Sequence, residues 1–314
     1  MSKSTLVRST ILLVYALIAY ALIFWQGQEN TDSLQLYIVS ALALYFAFGV
    51  GVAGQIIFDW RVQKSFRAVF WNSSAVVLLA SAVLVLINVE TIICLIMALP
   101  IGLGPLALGI LATRDLIRTF DKVRSAAFVL LLVPFATAQI DISRFLPERQ
   151  FSVVSEITIN SSAMQLWSLA QNIGTIDEKE LPLTLTHTLM RAPRPVSAET
   201  LQGVRYARWT KGVYFEEIMT EALPGKTLAW TFRFPDLEAM QALDYRVSPV
   251  GPEVTMRSGR YDFQPLKDGS TKVILTTTYD LKTPLNAYFS AWGTLFINDF
   301  HMAVLHVLKT RAEG

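Results

Sequence analysis

The chain has 314 residues, of which 53% are hydrophobic and only 17% are charged, and its formal net charge is +2. An average soluble domain carries about 25% charged residues, and a chain of this length makes roughly two domains. The composition excludes an intrinsically disordered chain, a collagen-like chain and a disulfide-stapled miniprotein, and the charge gives no electrostatic basis for nucleic-acid binding.

The apolar excess is concentrated before residue 141, where long uncharged runs separate nine basic and six acidic residues. A membrane-spanning helix needs about 20 mostly apolar residues, because lipid offers no partner for a free backbone amide. We therefore predict a transmembrane helical region over residues 1–143, followed by a soluble domain over residues 144–314. The five predicted spans cover about Ser9–Gln26, Leu34–Phe58, Ala68–Asn88, Thr91–Ala112 and Ser125–Ile140.

The basic residues next to the spans predict the orientation, since such residues favour the cytoplasmic side. The N-terminus, the loop holding Arg61, Lys64 and Arg67, and the loop after the fourth span are basic, whereas the first and third loops carry no base. This places the N-terminus in the cytoplasm and the C-terminal domain outside it, and we assign the protein to a bacterial inner membrane. The fifth span is short and is followed by Arg144 and Arg149. If it does not cross, the soluble domain is cytoplasmic.

The fourth span contains Pro100, Pro105 and three glycines. They indicate either a broken helix that lines a transport site or a kink that neighbouring helices tolerate, and the kink is favoured. No well-buried ionisable residue is predicted in any span, although such residues mark ion and substrate paths. The membrane region is therefore interpreted as an anchor or scaffold. Its Cys94 is the single cysteine of the chain, so the soluble domain is compatible with an oxidising compartment.

From Phe151 the periodicity changes to strict alternation, which predicts a half-buried strand over residues 151–159. A short helix follows from Ala163, with Ser161 or Ser162 as its N-cap. A polar, proline-containing stretch then includes a possible strand at Leu183–Met190.

Five further strands and a closing helix are predicted in the rest of the chain. The strands cover about Val204–Trp209, Val213–Thr220, Leu228–Phe234, Val254–Gln264 and Lys272–Leu281. Another strand is possible at Ala242–Ser248. The helix covers about Leu285–Arg311, and its polar residues, such as Asn298 and His301, favour an amphipathic helix packed on a sheet over a sixth span.

This order predicts an α+β domain in which a curved antiparallel sheet wraps around a long C-terminal helix. VSEITINSSAMQLWSLAQNI, GVRYARWTKGVYFEEIMTEALPGKTLAWTF and NAYFSAWGTLFINDFHMAVLHVLKTRAE resemble the opening strand and helix, the central hairpins and the closing helix of the START-like superfamily. This group is also called the polyketide cyclase/dehydrase and lipid-transport (SRPBCC) superfamily, and its fold is the helix-grip fold. The resemblance covers about half of the chain and does not include the membrane region.

The resemblance implies a cavity for hydrophobic ligands between the sheet and the closing helix. Aromatic side chains of the domain supply large apolar surfaces for such a site, although each ring could equally fill the core. The candidate ligand-binding residues are Trp167, Trp209, Trp230, Phe232, Tyr279, Trp292 and Phe296.

Polar residues inside the strands are the candidates for catalysis, namely Glu217, Arg205 and Tyr261. Glu217 alternates with Val213 and Phe215, which predicts an inward side chain that could pair with an arginine or act as a general base. The sequence does not show whether the odd or the even strand positions face the cavity. The alternative to an inward catalytic set is that these residues form cross-strand Arg/Glu pairs on an exposed face.

The sequence predicts no metal site and no cofactor. His301 and His306 stand about 140° apart around a helix, His187 is isolated, and the HExxH, Walker A, GxSxG and CxxC motifs are missing. The first functional hypothesis is a membrane-anchored START-like domain that binds a lipid or another hydrophobic small molecule at the membrane surface. The alternatives are a cyclase/dehydrase-type enzyme that uses an inward Glu/Arg/Tyr set, and an envelope interaction or assembly protein without a ligand. No nucleic-acid partner is expected.

Overall fold

The computed structural model of the chain describes residues 3–28, 42–87, 92–119, 131, 146–236 and 253–314. These residues belong to two compact units, one within Met1–Leu146 and the other within Pro147–Gly314. The first unit is helical. The second combines a sheet with helices.

Four α-helices form the described part of the first unit. Their bounds are Lys3–Gln28 (α1), Ala47–Asp59 (α2, preceded by a π-helical turn at Leu42–Phe46), Phe66–Leu86 (α3) and Ile92–Thr119 (α4). Among the described residues, three stretches are long and apolar enough to cross a membrane, by length and composition. They are Lys3–Ala21, Phe66–Leu86 and Leu95–Thr119.

These three stretches correspond to the first, third and fourth predicted spans. The described part of the second predicted span forms the shorter apolar helix Leu44–Asp59, and its first residues lie outside the described ranges. The fifth predicted span lies outside them too, apart from residue 131. The helical region is confirmed, and the count of five spans stays a prediction. α4 runs through Pro100 and Pro105 as one helix, as the kink interpretation expects.

Two ionisable residues are buried just beyond the predicted second and fourth spans. α2 and α4 extend beyond the predicted spans, and they bury Asp59 and Arg114. The Asp59 carboxylate accepts the backbone N–H groups of Gln63 (2.8 Å) and Lys64 (2.9 Å), and Arg114 donates to the Lys64 carbonyl (2.9 Å) and to Gln55 Oε1 (3.3 Å). These bonds satisfy both charges and hold the loop between α2 and α3, so we assign the cluster a structural role.

Glycines let α2 and α4 approach each other closely. A Cβ atom on Gly51 would lie 2.2 Å from the carbonyl oxygen of Leu106, and one on Gly109 would lie 2.2 Å from that of Phe48. We expect Gly51→Ala or Gly109→Ala to lower the free energy of unfolding by about 1–3 kcal/mol, because a backbone atom cannot move aside as a flexible side chain can. Thermal unfolding of the purified full-length chain in detergent measures the effect.

Gly104 provides the control, because a Cβ atom there would meet nothing within 4 Å. Gly104→Ala should leave the melting temperature unchanged or raise it slightly, since alanine favours the helix. Equal melting temperatures for all three alanine variants would show that the close approach does not limit stability.

The described residues of the second unit form an antiparallel sheet of eight strands in the order β1-β8-β7-β6-β5-β4-β3-β2. The strands are Glu148–Ile159 (β1), Gly174–Thr175 (β2), Pro195–Leu201 (β3), Val204–Trp209 (β4), Tyr214–Leu223 (β5), Thr227–Arg233 (β6), Val254–Pro265 (β7) and Thr271–Lys282 (β8). The helices are Ala163–Gln171 (α5), Leu185–Thr188 (α6) and Asn286–Glu313 (α7), with a 3₁₀ turn at Glu178–Glu180. The predicted α+β order of strand, short helix, antiparallel strands and long helix is confirmed.

Local predictions within this unit have mixed outcomes. Ser162 is the N-cap of α5, and its hydroxyl accepts the N–H of Gln165 at 3.3 Å. The possible strand at Leu183–Met190 is wrong, because Thr184 caps the short helix α6 there. Strand β3 was not predicted, since its sequence is polar and begins at Pro195. The possible strand at Ala242–Ser248 lies outside the described residues.

The structure settles which strand positions face the core. Val153, Ser155 and Ile159 of β1 are buried, and the inner face continues through Arg205 and Glu217. The opposite face carries several ion pairs. Its members include Glu216–Arg233, Arg257–Asp280, Arg260–Asp262 and Arg260–Glu221. Both sequence alternatives therefore occur, one on each face of the sheet.

Candidate functional site

Four aromatic rings from the sheet stand together on its inner face. Trp209 ends β4, Phe215 lies in β5, and Phe232 and Phe234 lie in and just after β6. Alternation puts all four on the same face. The ring centroid of Phe215 lies 6.1 Å from that of Trp209, 5.9 Å from that of Phe232 and 5.7 Å from that of Phe234.

Two rings of α7 face this group from the helix. Phe296 and Phe300 are four residues apart and therefore share one helical face, with centroids separated by 6.4 Å. Phe300 meets Trp209 edge to face, with centroids 5.0 Å apart and planes at 77°. We call the set Trp209, Phe215, Phe232, Phe234, Phe296 and Phe300 the aromatic array. All six residues are half-buried, so the array forms an apolar surface that solvent still reaches.

The predicted ligand-binding residues divide into three groups. Trp209, Phe232 and Phe296 belong to the array, and Trp292 adjoins it at 6.5 Å from Phe296. Trp230 lies deeper, beside Phe232, with centroids 6.2 Å apart.

Trp167 and Tyr279 make contacts outside the array. The Trp167 indole donates to the Thr227 carbonyl at 3.0 Å, and the Tyr279 ring stacks on Phe151. Sequence reasoning missed Phe215, Phe234 and Phe300. The spacing of Phe296 and Phe300, and the alternation of Phe215 with Glu217, were the signals that could have identified two of them.

A buried ion pair lies deeper on the same face of the sheet. Arg205 in β4 and Glu217 in β5 are cross-strand neighbours, and the Arg205 Nε donates to a Glu217 carboxylate oxygen. Their side chains are only 4% and 9% exposed. A second guanidinium nitrogen of Arg205 donates to the Ala170 carbonyl at 2.5 Å, so the arginine also ties α5 to the sheet.

The ion pair contacts two buried aromatic rings. The Arg205 guanidinium lies 4.5 Å from the ring centroid of Trp230 and 5.7 Å from that of Tyr261, which is cation–π geometry. Burial raises the pKa of the Tyr261 phenol to about 12, so it stays protonated at neutral pH. The structure thus brings the three candidates Arg205, Glu217 and Tyr261 together, and Trp230 connects them to the array.

Polar residues of α6 and its N-cap lie beside the array. The His187 ring stacks on Phe300 with centroids 5.6 Å apart, and its Nδ1 lies 2.7 Å from the Thr184 hydroxyl. Burial lowers the pKa of His187, and the charge of Arg194 adds to this effect. Thr184 is a local partner of His187, whereas the stacking ring Phe300 comes from α7 and is brought beside it only by the fold. Within the described ranges, no three His, Cys, Asp or Glu side chains are grouped so that they could hold a metal ion.

No protein-family model and no curated protein matches the chain. Solved structures similar to its C-terminal half include truncated norcoclaurine synthase from Thalictrum flavum, at 11% identity and a TM-score of 0.35 over 54% of this chain and 98% of that chain. Another is the Zhui aromatase/cyclase from Streptomyces sp. R1128, at 15% identity and a TM-score of 0.33 over 52% of this chain and 94% of that chain. A third is XoxI from Bacillus cereus, at 12% identity and a TM-score of 0.32 over 52% and 95%. At these identities and TM-scores, the similarity says nothing about activity.

Proposed function

We propose that the chain is a membrane-anchored START-like domain that binds a lipid or another hydrophobic small molecule on the aromatic array. The observation that carries this proposal is the set of six half-buried rings, contributed by both the sheet and α7. Leaving so much apolar surface in contact with water is unfavourable, and a ligand that covers the rings would remove that cost. Ligand sites are mostly apolar and carry few polar groups, and here His187 and the Arg205–Glu217 pair lie beside the rings.

The proposal assigns residues 1–143 to membrane anchoring and residues 144–314 to binding. Its support is the presence of three helices that are long and apolar enough to cross a bilayer. The basic loops favour a cytoplasmic N-terminus and an extracytoplasmic binding domain. Tethering raises the effective concentration of the domain at the membrane, where apolar ligands accumulate.

Truncation of Trp209 tests the binding site, because this ring joins the sheet half of the array to the helix half. We expect Trp209→Ala to reduce the amount of hydrophobic molecule that co-purifies with the full-length protein by at least about tenfold, which corresponds to about 1.4 kcal/mol of binding free energy. Organic extraction of the detergent-purified protein followed by mass spectrometry measures the amount.

Tyr206→Ala is the matched control, since Tyr206 is an aromatic residue on the opposite face of β4. It should leave the recovered amount unchanged. An equal loss in both variants would attribute the effect to a damaged fold. If no molecule is recovered even from the unmodified protein, the binding proposal fails and the interaction or assembly role takes its place.

A catalytic use of the same site is a second candidate, because Arg205, Glu217 and Tyr261 meet next to Trp230. Incubation of the purified protein with the recovered molecule separates the two functions. Binding alone returns a single mass, whereas catalysis adds a product mass whose rate of appearance falls in Tyr261→Phe.

A further inference from the structure

The segment around α6 has an inverted distribution of polar and apolar residues. Thr186 and His187 are buried, at 0% and 5% exposed. The leucines beside them point the other way, and Leu183, Leu185 and Leu189 are 84%, 53% and 56% exposed. A surface helix in water normally buries its leucines and exposes its polar residues. We call these three leucines the leucine loop.

Hydrogen bonds hold the segment in this orientation. The backbone N–H of Thr186 donates to the Asp299 carboxylate of α7 at 2.9 Å, and the N–H of Ala192 donates to the Thr186 carbonyl at 3.0 Å. His187 adds its stacking on Phe300. The leucines are therefore presented outward by a fixed turn. Exposed apolar residues that cluster in this way mark a contact surface.

Basic residues follow the leucine loop in the chain. Residues 181–194 include Arg191 and Arg194 and no acidic residue. The nearest acidic groups are already engaged, since Glu180 pairs with Arg311 and Asp299 accepts the Thr186 N–H. The Lys211 ammonium donates to the Arg191 carbonyl at 2.5 Å, which brings a further positive charge to the same edge. Exposed leucines next to lysine and arginine are the pattern of segments that lie in the interface of an anionic bilayer.

We propose that the leucine loop inserts into the interfacial region of an anionic phospholipid bilayer, with Arg191, Arg194 and Lys211 at the headgroups. This inference rests on the proposed function, because the apolar helices of the same chain keep the domain at a membrane. Since His187 joins α6 to Phe300, the inserted loop borders the aromatic array. A hydrophobic ligand then passes between the bilayer and the array without crossing water.

A site-specific fluorophore on the full-length protein tests the insertion. In a Cys94→Ala background, Leu183→Cys is labelled with a polarity-sensitive fluorophore, and the protein is reconstituted in nanodiscs of phosphatidylcholine and phosphatidylglycerol. Some of these nanodiscs carry lipids with a nitroxide on the upper acyl chain. We expect a blue-shifted emission and at least a twofold quenching by the nitroxide. Both effects should weaken when phosphatidylglycerol is omitted, because the basic residues then lose their counter-charge.

Leu201 is the matched control position, since it is a leucine of similar exposure, 63%, at the far end of β3. β3 begins at Pro195, next to Arg194, so Leu201 lies roughly 20 Å from Arg194 along the strand. The same label at Leu201→Cys should not be quenched. Equal quenching at both positions, or quenching at Leu201 alone, would overturn the proposal. A blue shift at position 183 without nitroxide quenching would also overturn it, because the label would then be shielded by the protein itself and not by the bilayer.

The two proposals fail in distinguishable ways. Recovery of the hydrophobic molecule from the same preparations reports on the array, and nitroxide quenching reports on the loop. If the molecule is recovered but the label at position 183 is not quenched, the leucine loop proposal is wrong and ligand binding stands. Quenching without any recovered molecule supports membrane contact and removes the binding proposal.

Discussion

We expect Glu217→Gln to lower the free energy of unfolding of the C-terminal unit by about 3–5 kcal/mol. The reason is the isolation of the Arg205 guanidinium. Its side chain is only 4% exposed, and its remaining contacts are the Ala170 carbonyl and the faces of two aromatic rings. Glutamine keeps the shape of the side chain but not the charge, so the variant leaves a buried cation without a counter-ion.

Removal of both charges separates this effect from a simple loss of packing. In the double variant Arg205→Met/Glu217→Leu, no buried charge is left unpaired, and apolar side chains of similar length contact Trp230 and Tyr261. Replacing a whole buried ion pair in this way is often neutral or stabilising. We therefore expect the double variant to be more stable than Glu217→Gln, even though it changes more atoms.

The exposed pair between Arg260 and Glu221 is the control for this experiment. Its oxygen and nitrogen lie 2.7 Å apart, but the side chains are 43% and 39% exposed. Glu221→Gln should change the free energy of unfolding by at most about 1 kcal/mol, since water screens such pairs. Urea unfolding of the full-length chain in detergent, followed by tryptophan fluorescence, measures all variants. Equal effects of Glu217→Gln and Glu221→Gln would contradict a buried, uncompensated charge.

The inward direction of Glu217 could be predicted from the sequence, whereas its partner could not. Alternation with Val213 and Phe215 sets the face of β5, and the structure places Glu217 on the inner face. The choice between inner and outer arginines depends on strand register. Arg257 faces outward because a register shift between Met256 and Ser258 interrupts the alternation of β7. A single extra residue reverses the face, and the local sequence carries no clear sign of it.

For the aromatic array too, the sequence predicts the face on which each ring lies but not which rings meet. Phe215 and Phe232 follow from strand alternation, and the face shared by Phe296 and Phe300 follows from helical spacing. Their meeting depends on how α7 packs across the sheet, which no local pattern specifies. The exposure of the leucines around α6 could not be predicted either, because the leucine-rich segment 183–190 has the composition of a buried strand. Only the bonds to α7 show that its polar side is the buried one.

His301 is a neutral, buried residue on the face of α7 that packs against the sheet. Its Nε2 lies 2.7 Å from the Thr277 hydroxyl, and its Nδ1 lies 3.0 Å from the Ser155 hydroxyl. The Ser155 hydroxyl donates to Asn298 Oδ1 at 2.9 Å, so it accepts the proton of Nδ1. The Thr277 hydroxyl then donates to Nε2. These partners are all uncharged, and burial lowers the pKa of His301 from 6.5 to about 3.

This shift makes the C-terminal unit sensitive to acid. Between about pH 6.5 and pH 3, the unfolded chain protonates this histidine while the folded domain keeps it neutral, so protonation favours unfolding. The stabilisation is complete above about pH 6.5 and is lost progressively as the pH falls. By linkage, the loss from His301 is about 2 kcal/mol at pH 5 and about 4 kcal/mol at pH 3.

His301→Gln should therefore be less stable than the unmodified protein at pH 7, because it loses part of the hydrogen-bonded network. It should also lose less stability on acidification, by about 2 kcal/mol between pH 7 and pH 5, because the titrating group is gone. Urea unfolding of both proteins at the two pH values gives this difference directly. Other groups that titrate, such as His187, contribute equally to both proteins and cancel. His306→Gln is the control, since His306 is exposed on the same helix. Parallel pH profiles for His301→Gln and the unmodified protein would show that His301 does not couple folding to protonation.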